Sequence, residues 1–288
     1  MEKPSALGRF GKVAVLTVIV ILVLYPFASV LATSFATEAD IVNGGGLVLI
    51  PLHPTLAAYK TILQGGVIAH AVVVSIFITL VGTAISLVAT TAMAYGLSRP
   101  IIGRRALVLI SISTLFFFPG IIPLYLMVKQ LGLLNNYASL ILPVAVSAFN
   151  MIVMRQFFMD IPQELIDSAR IDGAGEIRTL FKIILPLSKA IIAVIALFYG
   201  VFYWNQFFFA LLFLNDSSQW PLQTVLYLYV LQRAPLAGAV NYVAGEVPPP
   251  LQSIQMAVVV IATVPILLVY PFLQKYFTKG VLTGAIKG

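Results

Sequence analysis

Asp160 to Leu187 reads DIPQELIDSARIDGAGEIRTLFKIILPL. Its ionisable residues (Asp160, Glu164, Asp167, Arg170, Asp172, Glu176, Arg178 and Lys182, with Lys189 just beyond) form the longest charge-rich segment of the chain, and long uncharged runs lie on both sides. The 288 residues are 60% hydrophobic and 9% charged, with a mean hydropathy of +1.03. A soluble domain carries about 25% charged residues, so that class is excluded. A polar island placed between such runs is where something outside a membrane takes hold.

A helix needs about 20 apolar residues to cross the hydrocarbon of a bilayer. Bracketing by charges and trimming for turn residues predicts spans at roughly 13–34, 71–97, 106–127, 137–157, 190–214 and 253–274. The runs are continuous, without the period-two alternation of a barrel strand, which makes them helices. The expected fold class is therefore an all-α integral membrane protein with six transmembrane helices. Residues 1–12 form a short leader and 13–288 a single transmembrane domain. Val30-Leu31-Ala32 would suit a processing enzyme, but the length of the first run argues for a full span.

Basic residues give the orientation. With the N-terminus in the cytoplasm, that side holds Lys3, Arg9, Lys12, Arg99, Arg104, Arg105, Arg155, Arg170, Arg178, Lys182, Lys189, Lys275, Lys279 and Lys287. The other side holds Lys60, Lys129 and Arg233 from the total of 17. The positive-inside rule then puts both termini and the 160–187 loop in the cytoplasm. The net charge of +7 reflects this sidedness, and no nucleic-acid partner is expected because the basic residues are spread over four segments. Without cysteine there is no disulfide framework or thiolate chemistry. The two histidines, His53 and His70, have no metal-binding spacing, and no metal site is expected. Gly44-Gly45-Gly46 lacks the Gly-Lys-Ser/Thr of a phosphate loop and reads as a flexible turn.

Within the island, Asp160 before Ile161-Pro162-Gln163 predicts an acidic N-cap with Gln163 completing a capping box. Ile161, Leu165, Ile166 and Ala169 share one face of that helix, and Gly173 suits its left-handed stop. Glu176 opens a second helix where the dipole favours negative charge. Ile177, Leu180, Phe181, Ile184 and Leu185 form its apolar stripe, and Pro186 closes it. The pair is expected to lie parallel to the membrane. Two readings stand: a helix that inserts into a groove of a cytoplasmic partner, and an interfacial hairpin that only joins two spans.

The spans carry few polar groups. Asn150 in the fourth is more often helix–helix glue than a ligand. In the fifth, Phe202-Tyr203-Trp204-Asn205-Gln206-Phe207-Phe208-Phe209 sets two amides among aromatics. Rings stack on the C–H faces of a sugar and amides bond its hydroxyls; an aromatic belt at the interface is the other reading. Phe116-Phe117-Phe118-Pro119-Gly120 and Pro123 break the third span, either near a translocation path or as a packing kink. Asn215–Gln252 is the largest outside piece and a surface for an extracytoplasmic partner. Its apolar stretch, Leu222 to Leu231, is too short to span and is expected in or on the interface.

Glu164-Leu165-Ile166-Asp167-Ser168-Ala169-Arg170-Ile171-Asp172-Gly173-Ala174, followed by Phe181 and Ile184-Leu185-Pro186, resembles the Glu-Ala-Ala…Gly…Ile-x-Leu-Pro loop of inner-membrane permeases in binding-protein-dependent ABC importers, of the carbohydrate-uptake (maltose and oligosaccharide) type. Ala94-Tyr95-Gly96-Leu97-Ser98-Arg99, Leu131-Gly132-Leu133-Leu134, Trp204-Asn205 and the terminal Gly-Ala-Ile-Lys-Gly extend the likeness over nearly the whole chain. The resemblance implies a coupling helix between spans four and five that docks on an ATP-hydrolysing subunit through Glu164, Asp167, Ser168, Ala169, Asp172 and Gly173. Asp167-Ser168 stand where Glu-Ala is usual, which alters partner contacts. The resemblance further implies a second homologous permease subunit, a cytoplasmic ATPase dimer that binds ATP and Mg, and an extracytoplasmic solute-binding protein, in the bacterial inner membrane.

The expectation is a non-enzymatic, multi-pass permease subunit for an oligosaccharide or related solute, with Asn150, Tyr203, Trp204, Asn205 and Gln206 as pathway candidates. It has no Walker-type phosphate loop, so this chain would hold no cofactor, and lipid surrounds it. An ion-coupled secondary transporter is the alternative, but such proteins place ionisable residues at the bilayer midplane. Here only His70 falls near a span, at its boundary. A membrane enzyme would need a convergent acid, base or metal set.

Overall fold

A computed structural model describes residues 6–64, 66–117, 119–232 and 248–285, and its side chains between Arg9 and Pro271. Lys3, Phe118, Arg233, Glu246 and the terminal Ile286-Lys287-Gly288 lie outside the described residues. All regular structure among the described residues is helical. Apolar runs leave the backbone nothing but itself to bond, and a helix satisfies it within one segment.

The first helix, α1, is Ala6–Ser34; α2 (Glu38–Asn43) and α3 (Ala57–Leu63) are short, and α4 (Val67–Ser98) has 32 residues. Next come α5 (Arg104–Phe116), α6 (Ile121–Gln130), α7 (Ala138–Val144), α8 (Ala148–Met159) and α9 (Gln163–Ile171). After these follow α10 (Glu176–Leu187), α11 (Lys189–Trp204), α12 (Phe208–Phe213), α13 (Leu222–Leu231) and α14 (Leu251–Ala285). Among the described residues three helices, in α1, α4 and α14, are long and apolar enough to cross a membrane, and up to six spans result if each bent pair is one. The pairs are α5 with α6, α7 with α8 at 52°, and α10 with α11 at 84°.

Three expected spans are therefore interrupted, each at a residue that explains it. The run at 106–127 breaks between Phe116 and Ile121, where Gly120 takes a φ of +90°. The run at 137–157 breaks at Ser147, whose hydroxyl accepts from the Asn150 amide and caps α8. In the fifth, α11 stops at Trp204: the Asn205 N–H makes the last ladder bond to the Val201 carbonyl (3.1 Å), and the Asn205 side-chain Nδ2 (2.8 Å) competes for the same oxygen. A side chain that competes for its own helix ladder ends it. At the far end, α14 runs on to Ala285, past the expected limit of 274.

The chain divides into two compact units. One comprises residues up to His70 with Leu226–Pro265. In it Thr33 holds both polar groups of Val48, accepting from the N–H at 2.9 Å and donating to the carbonyl at 3.3 Å. Ser34 and the Tyr59 hydroxyl pair at 2.7 Å, and Ser253 donates to the Ala36 carbonyl at 2.7 Å. Asp40 lies buried in α2. Burial alone would raise its carboxyl, but the His53 amide (3.1 Å) and Thr37 donate to it and hold it below the usual carboxylate value. Residues 9–28 of α1 are exposed throughout, as suits a helix that meets lipid or another chain.

The other unit, Ala71–Val225 with the chain from Ile266, holds the main core. Its axis is the contact between α4 and α11. Ser75, Gly82, Ser86 and Thr90 mark one side of α4, spaced to share a helix face. Ser86 pairs with the Tyr203 hydroxyl at 2.7 Å and Thr90 with the Tyr199 hydroxyl at 2.6 Å. Tyr199 also accepts from the Ser147 amide at 2.9 Å. Ser75 accepts from the Leu222 amide at 2.7 Å. Leu222, Thr224 and Val225 of α13 are buried in protein, where the sequence predicted a segment in or on the interface.

Gly82 sets the distance between the two helices: a Cβ there would lie 2.9 Å from the Tyr203 ring. Tyr203 is fully buried. Gly82→Ala should therefore destabilise the fold by about 1–3 kcal/mol through overpacking. At Gly200 the nearest atom to an added Cβ is Thr83 Oγ1, at 3.8 Å. Gly200→Ala should leave the melting temperature in detergent close to that of the native chain, and Gly82→Ala should lower it.

Candidate functional site

The 160–187 loop begins differently from its sequence reading. Asp160 is the C-terminal cap of α8: its N–H donates to the Gln156 carbonyl at 3.0 Å, and its carboxylate accepts from Gln156 Nε2 at 2.9 Å. Pro162 is the last residue before α9, which leaves Asp160 too far back to cap it, and the expected capping box is absent. Gln163 instead donates to Asp167 at 3.0 Å, one turn along.

The stop at Gly173 follows its residue type. Gly173 has φ +78°. Its N–H donates to the Arg170 carbonyl at 3.0 Å and the Ala174 N–H to the Ala169 carbonyl at 2.9 Å, the two bonds of a Schellman motif. No atom lies within 4 Å of where a Cβ would stand, so backbone conformation alone requires the glycine. After it, α10 contains a wide turn over Leu180–Ile184. That turn loosens the ladder ahead of Pro186, which lacks an N–H. Pro186 thus sits inside α10, where the sequence reading had it closing the helix.

Glu164, Asp167, Ser168, Asp172 and Gly173 are exposed, whereas Ala169 is buried beside Ile166. Of the expected apolar face on α9, Ile161 is half-buried and Leu165 is 43% exposed. The stripe expected on α10 is split. Ile184 is buried and Leu180 half-buried, while Ile177 (76%) and Phe181 (62%) stand exposed. The extra residue of the wide turn shifts the helical register between them. Gly175, Glu176, Ile177, Arg178, Phe181 and Lys182 line an open basin of about 520 Å³.

At the root of this loop four side chains form a clasp. Glu176 Oε2 accepts from the Tyr95 hydroxyl at 2.6 Å, and Oε1 accepts from Arg170 Nη2 at 2.8 Å. Arg99 Nε lies 3.6 Å from Oε2, and the Arg99 guanidinium stands 4.6 Å from the centre of the Tyr95 ring. Arg99 Nη2 also donates to the Tyr95 oxygen at 3.3 Å. One carboxylate thus joins α9, α10 and the last turn of α4. The Tyr95 bond, then Arg170, hold the Glu176 carboxyl below its usual value, outweighing partial burial. The same contact raises Arg170. Because the folded value is depressed, the stabilisation is present at neutral pH and lost only as pH falls through that lowered value.

The sequence reading gave Glu176 only a dipole role and Arg99 only a place among the cytoplasmic basic residues and in the Ala94–Arg99 likeness. Tyr95 and Glu176 are separated by 81 positions, so no local pattern pairs them.

The pathway candidates lie apart from this loop. Tyr203 and Gln206 come together on α7: the Tyr203 hydroxyl approaches the Ile141 carbonyl at 3.4 Å and Gln206 Nε2 donates to the Leu140 carbonyl at 3.2 Å. Gln206 Oε1 is buried without a hydrogen-bond partner. Trp204 is buried, Asn150 is buried in the first turn of α8, and Asn205 is exposed.

Residues 86–283 match the family described as binding-protein-dependent transport system inner membrane component. The chain belongs to this family. As an inner-membrane permease subunit of an ABC importer, it is 47% identical over 264 residues to the polygalacturonan/rhamnogalacturonan transport system permease protein YtcP of Bacillus subtilis, covering 91% of this chain and 92% of that one. It is also 47% identical over 283 residues to protein LplC of the same organism, covering 98% and 92%. The permease is similar in structure to a bacterial ABC transporter involved in the import of the acidic polysaccharide alginate. The TM-score is 0.85 at 30% identity, over 96% of this chain and 100% of that one. The clasp residues Tyr95, Arg99, Arg170 and Glu176 all fall inside the matched region.

Two substitutions separate conformation from bonding at the loop. Gly173→Ala should add about 1–2 kcal/mol of left-handed strain. Gly173→Pro should do more, since proline removes the N–H that bonds Arg170 and cannot take a positive φ. Limited proteolysis should cut within 160–187 faster in the order native, Ala, Pro, with membrane insertion unchanged.

Proposed function

We propose that this permease carries acidic, uronate-containing oligosaccharides across the inner membrane in an ATP-driven importer. The substrate class rests on one observation: a relative at 47% identity is named for polygalacturonan and rhamnogalacturonan transport, and a structural neighbour at TM-score 0.85 is described as importing alginate. Both are acidic polysaccharides.

In this reading the α5–α6 and α7–α8 pairs each form one span and α11 lies in the fifth, giving six with α1, α4 and α14; both termini and the 160–187 loop, α10 included, are cytoplasmic. The excess of basic residues on that side supports the orientation. An ATPase dimer binds ATP and Mg and docks on the loop. Glu164, Asp167 and Ser168 form the exposed face of α9 with Asp172 and Gly173 at its stop, Ala169 anchors it from within, and Ile177 and Phe181 offer apolar area beside it. A second permease subunit completes the pathway, and a solute-binding protein delivers the oligosaccharide from outside. Closure of the ATPase dimer moves α9 as a lever and shifts the bundle from inward- to outward-facing, a population shift driven by differential binding. Asn150, Tyr203, Trp204, Asn205 and Gln206 are the pathway candidates. Tyr203 is engaged by Ser86 and Gln206 is buried against α7, which leaves the exposed Asn205 as the candidate most open to a hydroxyl-rich solute.

The test is purification through a tag on this chain, identification of the subunits that come with it, and uptake by the assembly in proteoliposomes. An ATPase and a second permease should copurify, and oligogalacturonide uptake should require ATP. Uptake that follows an ion gradient without an ATPase would overturn the importer mechanism. Equal uptake of neutral maltooligosaccharides would overturn the acidic class alone.

A further inference from the structure

We infer that Glu176 is a positioning residue for coupling: it makes α9 and the cytoplasmic end of α4 move as one body. This rests on the docking role of α9 proposed above, and concerns where the motion of α9 goes next.

The backbone alone does not carry that motion. Between α9 and α10 the chain turns through Gly173, which has open space around its Cα, and Gly175, which has no atom within 4 Å of an added Cβ. A force on α9 would be taken up by flexing there. Apolar packing holds α9 through Ile166 and Ala169, its buried residues, but those contacts carry no hydrogen bond of fixed direction.

The Arg170–Glu176 bond closes this hinge. It spans six positions across the turn at 2.8 Å, a charge-assisted contact of fixed direction. The other carboxylate oxygen is held at 2.6 Å by Tyr95, and the Tyr95 hydroxyl also reaches the Glu176 carbonyl at 3.1 Å. Tyr95 is itself braced by the Arg99 guanidinium over its ring. From there α4 continues to Thr90, Ser86 and Gly82, the contacts on α11. A carboxylate at 176 therefore joins the lever to the helix that meets the transmembrane core.

Charge makes the arrangement specific. Arg99 has a side chain only 12% exposed, and Glu176 is the carboxylate paired with it; Arg170 has Asp167 in addition, at 3.9 Å. Neutralising Glu176 leaves Arg99 without its anion and frees Arg170 to turn toward Asp167, which lies on α9 itself. Both changes uncouple α9 from α4 without removing any group from the exposed face of α9.

The chain has no cysteine, so Ala92→Cys on α4 and Gln163→Cys on α9 can carry the only spin labels on this subunit. The assembled importer, purified through this chain, is measured by pulsed electron resonance without nucleotide and in an ATP- and vanadate-trapped state. With Glu176 in place the distance between labels should be single and narrow in both states. Glu176→Gln should lose that narrow distance, Tyr95→Phe should lose it in part, and the double exchange Arg170→Glu with Glu176→Arg should not restore it, because Arg99 would then face a second guanidinium. Copurification of the ATPase should persist in all of them. A distance that stays narrow in Glu176→Gln overturns the inference, as does broadening that appears only together with loss of the ATPase, which marks a merely structural role. An importer in which native α9 gives no cross-link to the ATPase would instead overturn the docking reading on which the inference rests.

Discussion

Inside hydrocarbon a peptide N–H or C=O finds no water, so a helix that stops there must hand its open groups to something nearby. That constraint governs each interruption in this chain. At Ser147 the hydroxyl caps α8, and the Ser147 N–H finds Tyr199. At Ser188, between α10 and α11, the N–H donates to Ile184 at 2.9 Å. At Phe117 the N–H reaches Ser113 at 3.0 Å. At Asn205 the side chain and the backbone share Val201, and Gln206 satisfies a carbonyl of α7. At Ser147 and Asn205 a side-chain hydroxyl or amide absorbs the break, whereas at Phe117 and Ser188 a backbone bond does so and the Ser188 hydroxyl is buried without a hydrogen-bond partner.

The same economy explains α4. Its small and hydroxyl residues let Tyr199 and Tyr203 approach and then satisfy their hydroxyls, so the two largest groups of α11 in this interface are fixed in position as well as buried. Small residues at helix contacts and hydroxyls as bridges are what membrane packing selects when apolar burial no longer distinguishes protein from lipid. Aromatics that read in the sequence as belt or pathway divide accordingly. Tyr203 belongs to the helix contact, while Asn205 stays free of it.

Much of the fold was legible because hydrophobic run length is a strong local signal. The spans read at 13–34, 71–97 and 253–274 lie within α1, α4 and α14. Gly173 was legible for a similar reason, since a left-handed stop after an amphipathic turn admits few other residues. The interruptions were not, because Ser147 and Asn205 look like any polar residue in an apolar run until their partners, Tyr199 and α7, are in place. Asp160 failed for a finer reason. The sequence offers a good cap, but proline at 162 delays the helix beyond its reach. The clasp was invisible, since it needs the end of one predicted span to meet the start of a helix that follows the second turn.

The clasp also shows why charge concentrates where it does. An ion pair on an exposed surface contributes roughly 0–1 kcal/mol, so stability alone gives little reason to gather carboxylates and guanidiniums around one turn. Direction gives a better one. Glu176 faces two cations and a phenol from α9 and the end of α4, and its bonds to Tyr95 and Arg170 have a direction that apolar packing lacks. Asp167 and Asp172 on the exposed side have no such enclosure and remain open to a partner. The polar island thus divides by partner: Glu176 is tied to Arg170, Tyr95 and Arg99, and Asp172 at the end of α9 faces outward.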